Sequence, residues 1–221
     1  GEALARGGVT VASAAVGTLA AWEPAGRAPL FTMRSPTLQE IMPLLQKPSQ
    51  NQIAEIFFRT VGREVAGAGT EDSARAVVER QLVAWGALPD GFAVRDGSGL
   101  SRHDYVTPET IVRVLAAMQR DTAFATFYHA LPVAGVDGTI SGRMRGTPAQ
   151  GNVHAKTGTI DKVRSLSGYV TTADSVTLLF SFLANNFTTS NREVERVQDA
   201  IAVHLAGMRL RDARTSATAR D

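Results

Sequence analysis

Val153-His154-Ala155-Lys156-Thr157-Gly158-Thr159, Ile160-Asp161-Lys162, Arg164 to Thr171, then Val176 to Phe182: read in order, this stretch predicts three consecutive antiparallel strands. Only residues 160–162 separate the first two segments, which reads as neighbouring strands. In the third, Val176, Leu178, Phe180 and Phe182 alternate with polar or smaller residues, the period of a strand with one buried face. A closing helix is expected over 191–208, with Val194, Val197, Ile201, Val203 and Leu205 as its core face. Helical segments come before the strands. The expected class is therefore α+β, a three-layer α/β/α arrangement in which helices flank an antiparallel sheet, and not an alternating βαβ sheet.

Working back from the strands, Thr107-Pro108-Glu109 caps a helix reaching about residue 119, and another is expected over 122–130. Phe92-Ala93-Val94 reads as a short strand leading into the loop Asp96-Gly97-Ser98-Gly99-Leu100-Ser101-Arg102. A helix is expected over 72–85, preceded by a Gly-rich loop that fails the dinucleotide fingerprint at its last glycine. Ser35-Pro36-Thr37 supplies a cap and a first-turn proline for a helix to about residue 46, which Pro48 stops. The next helix is expected over 50–62, ended by Gly62. Residues 28–33 read as a short strand, and Glu2 to Arg6 as the end of a helix.

Two short patterns carry the chemistry. The chain has three lysines, at 47, 156 and 162, among 23 basic residues, so an ammonium at 156 is a departure from its habit of using arginine. A compact point charge beside the Thr157 hydroxyl and the side-chain-free Gly158 suits the docking of a carboxylate against an edge strand. The second pattern, Ser49-Gln50-Asn51, follows Lys47-Pro48 at the start of a predicted helix. Polar side chains in such a turn can be held rigidly and aimed into a cleft, although Ser49 is also placed to cap that helix. Asp96 and Ser98 serve either turn chemistry or the lining of the same cleft.

Composition excludes several other functions. Hydrophobic residues at 44% and charged residues at 20% describe an ordinary globular protein, and 221 residues fit one large domain or a domain and a half. A net charge of +2 with both signs interspersed leaves no basic block to track a phosphate backbone, so no nucleic acid partner is expected. Val9 to Trp22 is too short and too weakly apolar to span a bilayer. With no cysteine, disulfides and thiolate metal sites are excluded. His103, His129, His154 and His204 are not paired at ligand spacings, so neither metal nor cofactor is expected, and no Gly-x-Ser-x-Gly elbow is present.

Lys156-Thr157-Gly158 and Ser49-Gln50-Asn51 are, in this order and about a hundred residues apart, two of the three signatures of the penicillin-binding proteins and serine β-lactamases. The chain resembles the C-terminal half of a D-alanyl-D-alanine carboxypeptidase/endopeptidase of the type-4 (class C) low-molecular-mass penicillin-binding proteins, hence a partial transpeptidase-like domain. The best-matched stretches are 35–38, 47–51, 96–102, 131–139 and 155–159; Gln50 departs from the usual Ser-Asp-Asn. The third signature, Ser-x-x-Lys, is missing: none of the chain's serines has a lysine three residues later. The resemblance implies that residues 1–30 are a remnant joining a missing catalytic half, 31–208 the C-terminal part of the peptidase domain, and 209–221 a polar tail.

Several roles are implied by the same resemblance. Ser49 would relay a proton to the departing D-Ala amine, Asn51 would hold the substrate backbone, and Lys156 would supply positive potential. Thr157 would hydrogen-bond the substrate carboxylate, Gly158 would permit close approach, and the Thr159 N–H would be an oxyanion donor. The implied partners are peptidoglycan stem peptides, β-lactams and the protein's own N-terminal half, in a periplasmic or other extracytoplasmic setting. The alternative is a non-catalytic homologue that binds stem peptide or a partner protein.

Overall fold

The structure, a computed structural model, describes residues 2–10 and 32–210. The chain falls into two compact units, Gly1–Ser35 and Pro36–Asp221. In the first, helix α1 spans Glu2–Arg6. The strand expected over 28–33 and the polar tail lie largely outside the described residues; Thr32 and Met33 are not in a strand. No helix among the described residues is long and apolar enough to cross a membrane.

The second unit is built on the three strands anticipated from the sequence: β3 (His154–Ile160), β4 (Val163–Thr171) and β5 (Thr177–Asn185), antiparallel in the order β3-β4-β5. Asp161 and Lys162 alone separate the paired residues Ile160 and Val163. Residues 166–170 of β4 are all buried, because helices cover both faces of the central strand. On one face Leu166, Val170 and Phe180 pack against Ala202 and Ala206 of α7 (Asn191–Gly207). On the other, Tyr169 and Leu179 pack with Leu115 and Ile111 of α5 (Pro108–Met118), joined by Phe124 and Phe127 of α6 (Phe124–Ala130). β5 therefore has a covered second face, which its alternation alone did not disclose.

α7 turns part of the expected stripe to the core, since Val194 is buried and Val203 and Leu205 pack against the core cluster, but not all of it. Val194, Gln198, Ala202 and Ala206 are buried, whereas Val197 is 60% and Ile201 40% exposed. Small alanines allow the helix to lie close to the sheet, and buried Gln198 donates through its Nε2 to Arg164 O at 3.3 Å.

The remaining helices form the layer that faces the edge of the sheet. α2 (Leu38–Gln46) starts from Thr37 and not from Ser35, because Thr37 and Glu40 make a reciprocal capping box. α3 runs Asn51–Ala66, four residues past its expected end. Gly62 does not terminate it: a Cβ there would come within 2.8 Å of Ala74 N, so this glycine lets α3 approach α4 (Glu71–Ala84) closely. The true cap is Gly67, in the left-handed conformation with φ 78°. A two-residue ribbon, β1 (Phe92–Ala93) and β2 (Tyr105–Val106), closes the base of the loop carrying Asp96 and Ser98. β2 is too short to show a period, and no sequence signal announced it.

Candidate active site

The turn between α2 and α3 forms one wall of a cleft. Lys47 ends α2, Pro48 prevents its continuation, and Ser49 adopts a left-handed backbone with φ 60°. That conformation costs a residue bearing a Cβ about 1–2 kcal/mol. It also carries Ser49 away from the capping position, which falls to Gln50 without a side-chain hydrogen bond. The expectation that Ser49 caps α3 is thus corrected: its hydroxyl accepts a hydrogen bond from Lys156 Nζ at 2.6 Å. Asn51, the first residue of α3, is exposed, and no described residue hydrogen-bonds its amide.

The facing wall is β3. Segment 132–134 pairs with its start, since Ala134 N donates to Val153 O and Ala155 N to Pro132 O, each at 2.9 Å. Beyond Ala155 the edge is open. Because strand amides alternate in direction, the outward N–H of Ala155 implies that those of Thr157 and Thr159 also point to the open edge. A Cβ at Gly158 would meet Ser165 Oγ across the β3–β4 pair, so a larger residue there would have to turn the Ser165 hydroxyl aside.

Lys156 extends from this edge towards the turn. Its ammonium donates to Ser49 Oγ and, at 2.8 Å, to Thr157 O. Burial pulls its pKa down from 10.5 to about 8, so it remains mostly protonated at neutral pH while easily losing the proton above it. A cavity of about 440 Å3 is lined by Ser49, Asn51, Asp96, Ser98 and Lys156. Gly158 and Thr159 line a neighbouring cavity of about 520 Å3, which shares Asp96 and Gly97 with the first.

For Asp96 and Ser98 both readings of the sequence apply. Asp96 accepts from Gly99 N and Ser101 N at 2.6 and 2.9 Å, and Ser98 Oγ accepts from Leu100 N at 3.3 Å, while both residues line the cavity. Glu55 of α3 holds this loop by accepting from Gly97 N at 2.8 Å. Burial, with the neighbouring Asp96 charge, raises the pKa of Asp104 at the loop's end. His154 stacks on Tyr128 with ring centroids 4.0 Å apart, and burial lowers its pKa, favouring the neutral ring.

Sequence reasoning gave no role to the residues that join the two walls. Lys47 Nζ donates to Asp137 Oδ2 at 2.7 Å and to Leu131 O at 2.9 Å, while Lys47 O accepts from Thr139 N at 3.1 Å. Asp137 Oδ1 accepts from Val133 N at 2.9 Å. Thr157 Oγ1 then donates to Thr139 Oγ1 at 2.8 Å. The 131–139 loop is thereby bonded both to the turn and to the strand. Lys47 being one of three lysines was the available signal; its partner lies 90 residues away.

An ammonium on the open edge of a helix-covered antiparallel sheet, facing a Ser-x-Asn turn, is the arrangement expected of the penicillin-binding class. The chain belongs to the D-Ala-D-Ala carboxypeptidase 3 (S13) family, whose profile matches residues 1–208. It is 42% identical over 212 residues to a D-alanyl-D-alanine carboxypeptidase of Actinomadura sp. (strain R39), covering 93% of this chain and 38% of that protein. Its fold matches the crystal structure of penicillin binding protein 4 (dacB) from Haemophilus influenzae with a TM-score of 0.70 and 30% identity, over 76% of this chain and 40% of that one. A second structure of that protein, complexed with a β-lactam, gives 0.67 with 76% and 41% covered, again at 30% identity. The chain spans about two fifths of the length of these relatives.

Proposed function

We propose that this chain is the C-terminal part of a serine-type D-Ala-D-Ala carboxypeptidase/endopeptidase acting on peptidoglycan outside the cytoplasm, with its Ser-x-x-Lys on another segment of the protein. The observation that carries the reading is the 2.6 Å contact between Lys156 Nζ and Ser49 Oγ, made across a cleft bounded by an open strand edge. An extended peptide can add to such an edge through its own backbone. Its C-terminal carboxylate would be attracted by the Lys156 ammonium and hydrogen-bonded by Thr157.

The chemistry assigned to the cleft is acyl transfer. The serine of the Ser-x-x-Lys gives its proton to that motif's lysine as its oxygen attacks the carbonyl between the two D-Ala residues. The developing oxyanion is stabilised by the Thr159 N–H, the C–N bond breaks, and the departing amine takes a proton relayed through Ser49. Lys156 lowers the energy of the negative charge throughout, and Asn51 holds the peptide backbone. Water then hydrolyses the ester. The Haemophilus influenzae relative solved with a β-lactam supports β-lactams as ligands here too.

Labelled penicillin should acylate the full-length protein, and Lys156→Ala should slow that acylation about a hundredfold, the scale of removing one electrostatic stabiliser. Wild-type acylation by the variant overturns the assignment. Because the ammonium loses its charge through pH 8, carboxylate binding should weaken as pH rises past that value. The second reading is a non-catalytic module. Reversible binding of stem peptide or β-lactam by the full-length protein, with no covalent adduct, would establish it.

A further inference from the structure

We infer that Thr139 is a second hydroxyl of the carboxylate-docking site, a specificity-determining residue placed there by the Lys47–Asp137 pair. The inference rests on the proposed reading of the cleft as a carboxylate-binding peptidase site.

Thr157 and Thr139 are joined by one hydrogen bond of 2.8 Å between their hydroxyl oxygens. Two hydroxyls carry two protons, and one bond between them uses one. The other has no acceptor among the described residues. Lys156 is in the same condition: its ammonium has three protons and two acceptors, Ser49 Oγ and Thr157 O. An acceptor-only group with two oxygens, a carboxylate, is the chemical complement of a free ammonium proton beside a free hydroxyl proton. Thr157 alone cannot supply the hydroxyl proton while it donates to Thr139. The pair can, because Thr139 is exposed and is free to donate outward.

The backbone around Thr139 is fixed for this placement. Gly138 has φ 61°, and a Cβ there would lie 2.8 Å from Pro132 Cβ and 2.9 Å from Lys47 O, so only glycine fits between the loop and the turn. Thr139 N is bonded to Lys47 O, and Ile140 behind it is fully buried. Lys47 and Asp137 make an ion pair that is only partly exposed, and they act through Thr139 as positioning residues. Among the described residues the Thr139 side chain has no hydrogen bond besides that from Thr157, and the loop is held as well by Thr139 N, Lys47 and Asp137.

The test compares acylation of the full-length protein by a penicillin and by its methyl ester, which lacks the negative charge. The wild type should prefer the acid. Thr139→Val should reduce that preference about tenfold, the worth of one hydrogen bond to a charged group. Thr139→Ser should retain it. A purely structural contribution would slow acid and ester equally, leaving their ratio unchanged, and that result overturns the inference. So does loss of the preference in Thr139→Ser, which would assign the effect to the methyl group. Absence of any acylation in the wild type sinks the peptidase reading itself, and the inference falls with it. An intact wild-type preference that survives in Thr139→Val sinks the inference alone.

Discussion

Tyr169 at the centre of the sheet and Lys156 at its edge each place a polar atom among apolar neighbours, in very different ways. Tyr169 is 1% exposed, ringed by Phe124, Phe127 and Tyr128, and its single proton goes to Leu115 O at 2.8 Å. Burial raises its pKa, so it stays neutral and fully paired. Lys156 keeps a charge in a place that disfavours charge, with one proton unmatched. At the centre the Tyr169 hydroxyl has its acceptor and serves stability. The edge is left incomplete, and incompleteness of that kind is what a ligand can complete.

Three substitutions probe the contrast. The largest effect is expected at the centre: Tyr169→Ala should remove about 4 kcal/mol of stability, by opening a cavity among the aromatic rings and orphaning Leu115 O. Urea unfolding measures it; a loss of less than about 1 kcal/mol, the range of an ordinary surface change, would mean that the centre is not saturated. At the edge the sign should reverse. Lys156→Met removes a buried charge and should stabilise by about 2 kcal/mol at pH 7.

The pH dependence of that gain has a definite direction. The native pKa of Lys156, about 8, lies below the 10.5 of an exposed lysine. Its burden on the native state is therefore full below pH 8. It fades as pH rises from 8 to 10.5, where the unfolded chain still holds the proton that the native protein has released. The difference between Lys156→Met and wild type should shrink across that interval, as unfolding curves at several pH values would reveal; a constant difference rules out the lowered pKa. The smallest effect belongs to the turn: in the Lys156→Met background, where no ammonium is left without its acceptor, Ser49→Gly should relieve the left-handed backbone and add about 1 kcal/mol, read as a raised unfolding midpoint.

The same contrast explains what could be read beforehand. The sheet was legible because β3 to β5 are consecutive and joined by short links, so local pattern and tertiary structure coincide. The Thr107-Pro108 cap was legible for the same reason. The stripe of α7 was legible at Val194, Val203 and Leu205 but misread at Val197 and Ile201, which apolar character marked, whereas close packing selected Ala202, Ala206 and Gln198. Gly62 was taken as a stop because sequence shows a glycine but not the helix lying against it. In the cleft, Ser49 and Lys156 stood out by motif, and the fold places them in contact across 107 residues. The bond from Thr157 to Thr139 and the pair Lys47–Asp137 join segments that carry no mutual signal in the chain, and only the folded loop brings them together.

The left-handed backbone of Ser49 bears on how this protein could be engineered. A library enriched for heat resistance without any assay of the cleft would be drawn first to Lys156→Met, which removes a desolvated charge, and then to Ser49→Gly, which relieves backbone strain. The survivors would be sturdier and would have lost both sides of the groove, so any thermostabilisation programme has to hold those two positions constant from the first round.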